Sequence, residues 1–205
     1  MKKFYFLLIL LILSAFSCNR EKNEPSGINS SAQNQSEYKG AEIITSMGTI
    51  EIEFMSAEAP ITTANFIRYT KANFYSDTIF HRVIKNFMIQ GGGFNTGFKQ
   101  KRTYNPIKNE ASSSSQNKRG TVAMARTSEI DSATSQFFIN LVDNDFLNQT
   151  DATDPSSFGY CVFAKVTKGM DVVDAIGSAS TTSLAGFEDF PQKQIVIKEV
   201  KLISE

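Results

Sequence analysis

The sequence predicts a mainly β domain, built either as a closed antiparallel barrel or as a sandwich. Residues 50–54 alternate Ile, Ile and Phe with two glutamates, and a period of two is typical of a strand with one buried face. Three later stretches, 137–142, 160–166 and 195–203, are rich in β-branched and aromatic residues. Clusters of Gly, Ser, Asn and Asp separate the stretches, and short strands joined by such turns indicate a barrel or a sandwich.

The first elements of the domain are predicted to be a hairpin and then a helix. Residues 42–45 and the alternating strand flank a Ser-Met-Gly-Thr turn at 46–49, which favours a hairpin. Pro60 suits the first turn of a helix, and apolar residues recur at helical spacing through 61–67. A second, short helix is predicted at 170–176, and the rest of the domain has the character of strands and turns.

The N-terminus has the features of an export signal. Two lysines precede the apolar run 4–13, and small residues then lead to Cys18. The run is too short for a membrane-spanning helix. We interpret 1–17 as a lipoprotein signal peptide, with Cys18 as the lipidated residue. The alternative is an ordinary secretory signal with Cys18 incidental, because the residues before Cys18 depart from the usual Leu-then-small pattern.

The signal implies a location and a division of the chain. Residues 18–38 carry almost no large apolar side chains and are interpreted as the lipidated cysteine and a flexible tether. The globular domain is expected at 39–205. The protein is then secreted across the inner membrane and anchored by lipid in the bacterial cell envelope. Cys161 lies in an apolar stretch and is expected to be a small buried side chain, not a reactive thiol.

Charge and motifs exclude several classes of protein. Lys plus Arg and Asp plus Glu each number 21, which gives no support for nucleic-acid binding. His81 is the only histidine, so a metal site with two histidines is excluded and a Ser-His-Asp triad is disfavoured, since Gly-x-Ser-x-Gly is also absent. The glycines 91–93 lack the Lys-Ser/Thr of a phosphate loop. The aspartates between 143 and 154 lack EF-hand spacing. These patterns therefore give no support for a metal site, a phosphate loop or a hydrolytic triad.

Five ordered blocks of sequence carry a family resemblance. They are Met47–Ile50, Phe80–Gly92 (FHRVIKNFMIQGG), Gly120–Arg126, Ser135–Asn140, and Tyr160–Val166 followed by Gly169–Val173. Together they resemble the cyclophilin family of peptidyl-prolyl cis-trans isomerases, in particular its short bacterial members, from about residue 42 to 202. The resemblance implies an eight-stranded antiparallel β-barrel with a helix closing each end. It also implies an isomerase of X–Pro bonds that assists protein folding, acts on proline-containing polypeptides and needs no cofactor. Nothing in the sequence demands more than a monomer.

The resemblance also assigns the site. Arg82 matches the family's catalytic arginine, and a further set matches positions that contact the substrate. These positions are the proline pocket (Phe87, Met88, Phe138 and Leu147), the polar groups that orient the arginine (Gln90 and Gln136), the strand edge that binds the peptide (Ala125, Arg126 and Thr127) and flanking residues (His81, Phe146 and Tyr160). His81 matches a neighbour of the arginine and not a general base.

Three positions depart from the common family pattern. Arg126 stands in place of the usual Asn, Phe146 where many eukaryotic members have Trp, and Tyr160 where they have His. The Trp indole N–H is the donor with which family members bind cyclosporin. The resemblance therefore implies weak cyclosporin binding with catalysis largely retained.

An arginine in an apolar pocket suits isomerisation chemically. Twisting an amide removes its resonance and leaves a lone pair on the prolyl nitrogen, to which a guanidinium can donate a hydrogen bond. A lone arginine among apolar residues is otherwise usually a strand residue whose charge reaches the surface. A non-catalytic binding module is the competing class, and a hydrolase has no nucleophile–base pair to support it.

Overall fold

The computed structural model describes residues 37–204, which contain ten strands, two α-helices and one 3-10 turn. In chain order they are β1 Tyr38–Thr45, β2 Thr49–Phe54, α1 Pro60–Lys71, β3 Thr78–Ile84, β4 Met88–Asn95, β5 Thr121–Met124, β6 Phe137–Asn140, the 3-10 turn Asp145–Leu147, β7 Val162–Lys168, α2 Met170–Gly177, β8 Thr181–Leu184, β9 Phe187–Pro191 and β10 Val196–Ser204. The predicted signal peptide, Cys18 and nearly all of the predicted tether lie outside the described residues and stay predictions.

Eight of the strands close into a barrel in the order β1-β10-β3-β4-β6-β5-β7-β2, in which every neighbouring pair is antiparallel. Helix α1 packs against β7 and β10, and α2 packs against β2, β3 and β4. The predicted barrel is confirmed, and the alternative of a sandwich is wrong because each of the eight strands pairs on both edges and the sheet closes on itself.

Strand β2 shows how the alternating pattern becomes one buried and one solvated face. The apolar side chains of 50–54 are at most 9% exposed and belong to the core inside the barrel. Glu51 and Glu53 face outward and pair with Lys168 and Lys165 of β7 at 2.9 and 3.1 Å. Because such exposed pairs contribute little, the stability of this strand comes mainly from its buried face.

Aromatic rings fill the barrel core beneath α1. Phe66 of α1 contacts Tyr75, Phe137 and Phe163, with ring centroids 4.9, 5.7 and 5.2 Å apart. Such pairs contribute about 0.5–1.5 kcal/mol each beyond the area they bury. Cys161 joins this core at 3% exposure, and burial raises the pKa of its thiol to about 11. The prediction that Cys161 is a buried, unreactive side chain agrees with this environment.

Helix α1 begins at Pro60, as predicted, but its N-terminus is capped from a distant part of the chain. Ala59 at the N-cap makes no side-chain hydrogen bond, and the first turn has no acidic residue. The Glu110 carboxylate accepts the Ile61 N–H at 2.9 Å and both the N–H and the hydroxyl of Thr62 at 2.7 Å. It supplies the acceptors and the negative charge that an unsatisfied helix N-terminus favours.

Two features of the fold differ from the sequence prediction. The predicted strand 160–166 begins only at Val162, since the Tyr160 N–H donates to the Leu147 carbonyl at 3.0 Å instead of joining the sheet. Strands β8 and β9 form a separate two-stranded sheet that packs on β3 and was not predicted. All four residues of β8 are exposed, so this strand has no buried face whose pattern the sequence could reveal.

Replacing Glu110 by Ala should lower the free energy of unfolding by about 1–2 kcal/mol, because the three donors at the start of α1 lose their acceptor. For a domain of this size, about 2–4 °C of melting temperature is lost per kcal/mol. The measurement is thermal unfolding followed by circular dichroism. Glu188→Ala, which removes an exposed carboxylate from β9, is the control. Equal melting temperatures for the two variants would contradict the capping role.

Candidate active site

The register between β3 and β4 contains one extra residue beside the candidate catalytic arginine. Phe80 pairs with Gly91 and Arg82 pairs with Gln90. The two pairs are therefore two residues apart on β3 but only one residue apart on β4. His81 is the extra residue of this β-bulge. A bulge changes the side of the sheet to which the following side chain points.

The bulge determines the direction of Arg82. Phe80 and Val83 both lie in the core, 0% and 2% exposed, although they are three positions apart. Strict alternation would place Arg82 on the same side as Phe80, inside the barrel. With the extra residue, Arg82 instead lies on the outer face and is exposed.

Arg82 lies at one edge of a groove on the outside of the barrel. It pairs with Gln90 of β4, and Gln90 pairs with Phe138 of β6, so the three residues form a row across three strands. The groove has a volume of about 200 Å³ and is lined by Arg82, Phe87, Met88, Gln90, Ala125, Arg126, Phe138, Leu147 and Tyr160. Most residues that the sequence assigned to the site therefore meet in one groove.

The floor of the groove is apolar and separate from the barrel core. Three buried lining residues, Met88, Phe138 and Leu147, pack with Ala123 and Val162 in a cluster of their own. Tyr160 packs on this cluster, with its ring centroid 5.7 Å from that of Phe138 and nearly perpendicular to it. An apolar ring bound here would lie against a dry surface with a cation at its edge.

Gln90 forms part of one wall, and Gln136 supports it from behind. The Gln90 amide donates from Nε2 to Oε1 of Gln136 at 2.9 Å, which holds both amides in place beside the groove. Gln136 does not itself line the groove, although its carbonyl accepts the Ala125 N–H at 2.9 Å. Gln136 therefore supports two lining residues, Gln90 and Ala125.

Arg126 is fixed at the opposite wall. Its guanidinium donates to the carbonyl oxygens of Gly159, Thr127 and Pro155 at 3.0, 2.9 and 3.0 Å. It also lies 4.8 Å from the centroid of the Tyr160 ring, which supports a cation–π contact. Arg126 thus ties the loop that precedes Tyr160 to the end of β5.

His81 does not reach the groove. Its side chain is 5% exposed and packs between Phe94 and Phe187, at 4.8 and 5.6 Å between ring centroids. Its Nδ1 has no hydrogen-bond partner. Burial, together with the nearby charge of Arg82, lowers the pKa of the imidazole to about 4. The assignment of His81 to substrate binding is not supported by this position, since the bulge turns the ring toward the β8–β9 sheet. A neutral, buried ring agrees with the expectation that His81 is not a general base.

Two other assigned residues lie beside the groove without lining it. Thr127 is exposed, and its N–H and hydroxyl both contact the Ser132 hydroxyl at 2.9 Å. Phe146 is 74% exposed and packs on Phe87 with 5.5 Å between ring centroids. Contact of either residue with substrate stays a prediction.

A network of buried asparagines holds the groove together and was not found from the sequence. Asn144 donates to the Phe87 carbonyl at 3.0 Å and to the Asn140 side chain at 2.7 Å. Asn117 donates to the carbonyls of Leu147 and Tyr160 at 3.1 and 3.3 Å. The carbonyl partners of these asparagines lie 30 to 57 residues away in the chain and come together only on folding. The one signal that the sequence offered was Asn140, an amide at the end of an apolar strand.

Comparison with known proteins gives a consistent result. The family described as "Cyclophilin type peptidyl-prolyl cis-trans isomerase/CLD" matches residues 41–202. A peptidyl-prolyl cis-trans isomerase of Acinetobacter baylyi is 55% identical over 165 residues, covering 80% of this chain and 85% of that protein. Peptidyl-prolyl cis-trans isomerase B of Escherichia coli is 52% identical over 156 residues, covering 76% of this chain and 94% of that protein.

Solved structures share the barrel. A cyclophilin type peptidyl-prolyl cis-trans isomerase from Cryptosporidium parvum superposes with a TM-score of 0.67 at 24% identity, covering 82% of this chain and 99% of that chain. At this identity the likeness concerns the fold, and it agrees with the eight-stranded barrel described above.

The buried His81 should make folding stability fall as the pH is lowered. The unfolded chain binds a proton near pH 6.5 and the folded chain only near pH 4, so acidification between these values favours unfolding. Between pH 7 and pH 5 we expect this residue to cost about 2 kcal/mol of unfolding free energy. Urea unfolding of the wild type and of His81→Phe at both pH values measures the difference.

His81 is the only histidine, so no other imidazole contributes to that slope. His81→Phe should keep an aromatic ring in the cluster and lose most of the pH dependence. If the two proteins lost the same stability between pH 7 and pH 5, the depressed pKa would be wrong.

Proposed function

We propose a mechanism and a location for this chain, which belongs to the cyclophilin family of peptidyl-prolyl cis-trans isomerases and is an enzyme of that type. The predicted family is thereby confirmed. In the proposal, Arg82 lowers the barrier to rotation about X–Pro bonds in secreted or membrane proteins. A lipid on Cys18 holds the enzyme in the cell envelope. The observation that carries the mechanism is the exposed Arg82 guanidinium at the edge of an apolar groove.

The mechanism follows from the electronic structure of the amide. Resonance gives a rotation barrier of about 18–20 kcal/mol, and uncatalysed X–Pro bonds exchange in tens to hundreds of seconds. In the twisted state the prolyl nitrogen becomes pyramidal and accepts a hydrogen bond that the planar amide accepts only weakly. Arg82 therefore binds the transition state more tightly than the ground state, and only such differential binding accelerates the reaction.

The groove adds to what the arginine supplies. Met88, Phe138 and Leu147 offer an apolar surface for the proline ring, so that the acyl side of the bond can rotate while the ring stays fixed. The same surface excludes water and strengthens the hydrogen bond from Arg82. Exchange on a millisecond timescale requires on the order of 7 kcal/mol of barrier reduction. A charge-assisted hydrogen bond, desolvation and a fixed ring together reach that magnitude.

In the described part of the chain, no carboxylate pairs with the Arg82 side chain. Among residues 37–204, no Asp or Glu oxygen lies within salt-bridge distance of its guanidinium. The Gln90–Gln136 pair next to it provides neutral amides. In the proposal these amides orient the guanidinium and contact the peptide backbone.

The location rests on the sequence of the N-terminus. Neither helix within the described part of the chain is long and apolar enough to cross a membrane. Acylation of Cys18 would supply an anchor, and about 0.8 kcal/mol per buried CH₂ makes several acyl chains together a stable one. A tether of the length of 18–38 would span about 25 Å as a random coil, which leaves the groove accessible to extended substrates.

Weak cyclosporin binding and a monomeric state complete the proposal. Phe146 packs on Phe87 beside the groove, and its side chain has no N–H to donate. The missing N–H donor at position 146 is expected to weaken cyclosporin binding more than the binding of peptide substrates. Peptide substrates still have the proline pocket and Arg82.

Removing the guanidinium should abolish most of the activity. In a soluble fragment from Tyr38 onward, Arg82→Ala should lose at least about a hundredfold in kcat/KM toward an Ala-Pro peptide, since the donor to the prolyl nitrogen is gone. Arg82→Lys should also be impaired, because an ammonium is strongly hydrated and lacks the rigid fork. Isomerisation is followed by exchange NMR, and circular dichroism checks the fold of each variant.

Wild-type turnover in folded Arg82→Ala would refute the mechanism. A folded wild-type fragment with no activity would instead favour the binding module.

Replacing Cys18 by Ser should release the protein from membranes. The full chain is expressed in a bacterium that processes lipoproteins, and its distribution between membrane and soluble fractions is measured beside the incorporation of labelled palmitate. We expect wild type to be labelled and sedimented, and Cys18→Ser to be neither. Equal labelling of the two proteins would contradict lipidation at Cys18.

A further inference from the structure

The groove carries two guanidinium groups and, among the described residues, no carboxylate. Its lining includes Arg82 on one side and Arg126 on the other, and the remaining lining side chains are apolar, aromatic or amide groups. Neither arginine forms a salt bridge within 37–204, although lysines elsewhere on the barrel pair with glutamates. Two positive charges without a counter-charge among these residues therefore face the same groove.

The position of the Arg126 charge is fixed by neutral groups. Carbonyl oxygens of Gly159, Thr127 and Pro155 hold all three of its nitrogens, and Ser128 lies further away at 3.4 Å. Carbonyls satisfy hydrogen bonds without cancelling the charge. Because the side chain is already ordered, binding an anion next to it costs little conformational entropy. The guanidinium fork also has more N–H donors than these carbonyls use.

Two carboxylates on the surrounding loops bind groups other than Arg126. Asp154 accepts hydrogen bonds from Ser156 and Ser157 in its own loop, and Asp131 accepts the Asn109 N–H at 2.8 Å. None of these groups comes within salt-bridge distance of the Arg126 nitrogens. Within 37–204 no carboxylate therefore neutralises Arg126, and an acidic side chain of a bound polypeptide could do so.

We infer that Arg126 is a specificity-determining residue that favours polypeptides with an acidic residue next to the proline. The inference rests on the proposed function, since it assigns a substrate class to the same groove. Arg82 is engaged at the prolyl nitrogen, whereas Arg126, across the groove, meets the residues that flank the proline. The acidic side chain lies at a partly exposed site, and an ion pair there is worth about two- to fivefold in kcat/KM.

The experiment compares matched peptides within each protein. One pair of tetrapeptides differs only by Glu or Gln immediately before the proline, and a second pair differs only at the residue after it. The Glu-to-Gln ratio of kcat/KM is measured by exchange NMR at 0.05 M and at 1 M salt. A ratio within one protein cancels any general change in activity, so a purely structural effect of a substitution does not alter it.

For wild type we expect a ratio of about two to five in at least one pair at low salt. It should approach one at 1 M salt, where the Debye length is about 3 Å. In Arg126→Gln the ratio should fall toward one at low salt as well. Lys198→Gln changes the net charge by the same amount at an exposed position on β10 and should keep the wild-type ratio.

Three outcomes would overturn the inference. They are a wild-type ratio of one in both pairs, a ratio in Arg126→Gln equal to that of wild type, and an equal fall in Lys198→Gln. Equal acceleration of Glu and Gln peptides overturns only this inference and leaves the isomerase mechanism intact. A wild-type protein that accelerates none of the peptides would overturn the mechanism and this inference together.

Discussion

The active groove depends on one extra residue in strand β3. The pairing of Phe80 with Gly91 and of Arg82 with Gln90 leaves His81 unmatched, and this β-bulge shifts the alternation of the strand by one. Arg82 then points to the outer face while Phe80 stays in the core. A regular strand would have to bury the guanidinium in the barrel, where an unpaired charge costs several kcal/mol. The barrel core and the position of the catalytic candidate are thus consequences of the same local irregularity.

The sheet around the bulge separates two apolar regions with different roles. The inner region is the aromatic core around Phe66 and Phe137, which stabilises the barrel. The outer region, beneath the groove, includes Phe138, the immediate neighbour of Phe137 on β6. Buried amide side chains such as Asn117 and Asn144 hydrogen-bond to backbone carbonyls of the loops around the outer region and hold these loops together. In the proposed mechanism, fixed backbone positions around the groove would hold a proline ring in one orientation, which differential binding of a twisted amide requires.

The charged side chains outside the groove differ from those inside it in whether they form ion pairs. Outside the groove, cations and carboxylates alternate along the strands and pair at the surface, as Glu53 does with Lys165. Inside it, Arg82 and Arg126 have no acidic partner among the described residues. The guanidinium of Arg126 is held in place by carbonyls, whereas Arg82 is exposed at the groove. In the proposed mechanism this arrangement separates catalysis from selectivity, because a change at Arg126 would alter which peptide is favoured while Arg82 would still act on the bond.

The sequence alone determined the strand pattern, the start of α1 at Pro60 and, through five blocks of family resemblance, the barrel and most of the groove. These features depend on local periodicity or on residue identity, which a sequence displays directly. Tertiary structure decided what depends on partners distant in the chain. Glu110 caps α1 from 48 residues beyond Thr62, and Arg126 binds carbonyls of a loop 29 to 33 residues away. It also decided that His81 turns away from the groove, because an extra residue in one strand becomes visible only when its pairing partner is known.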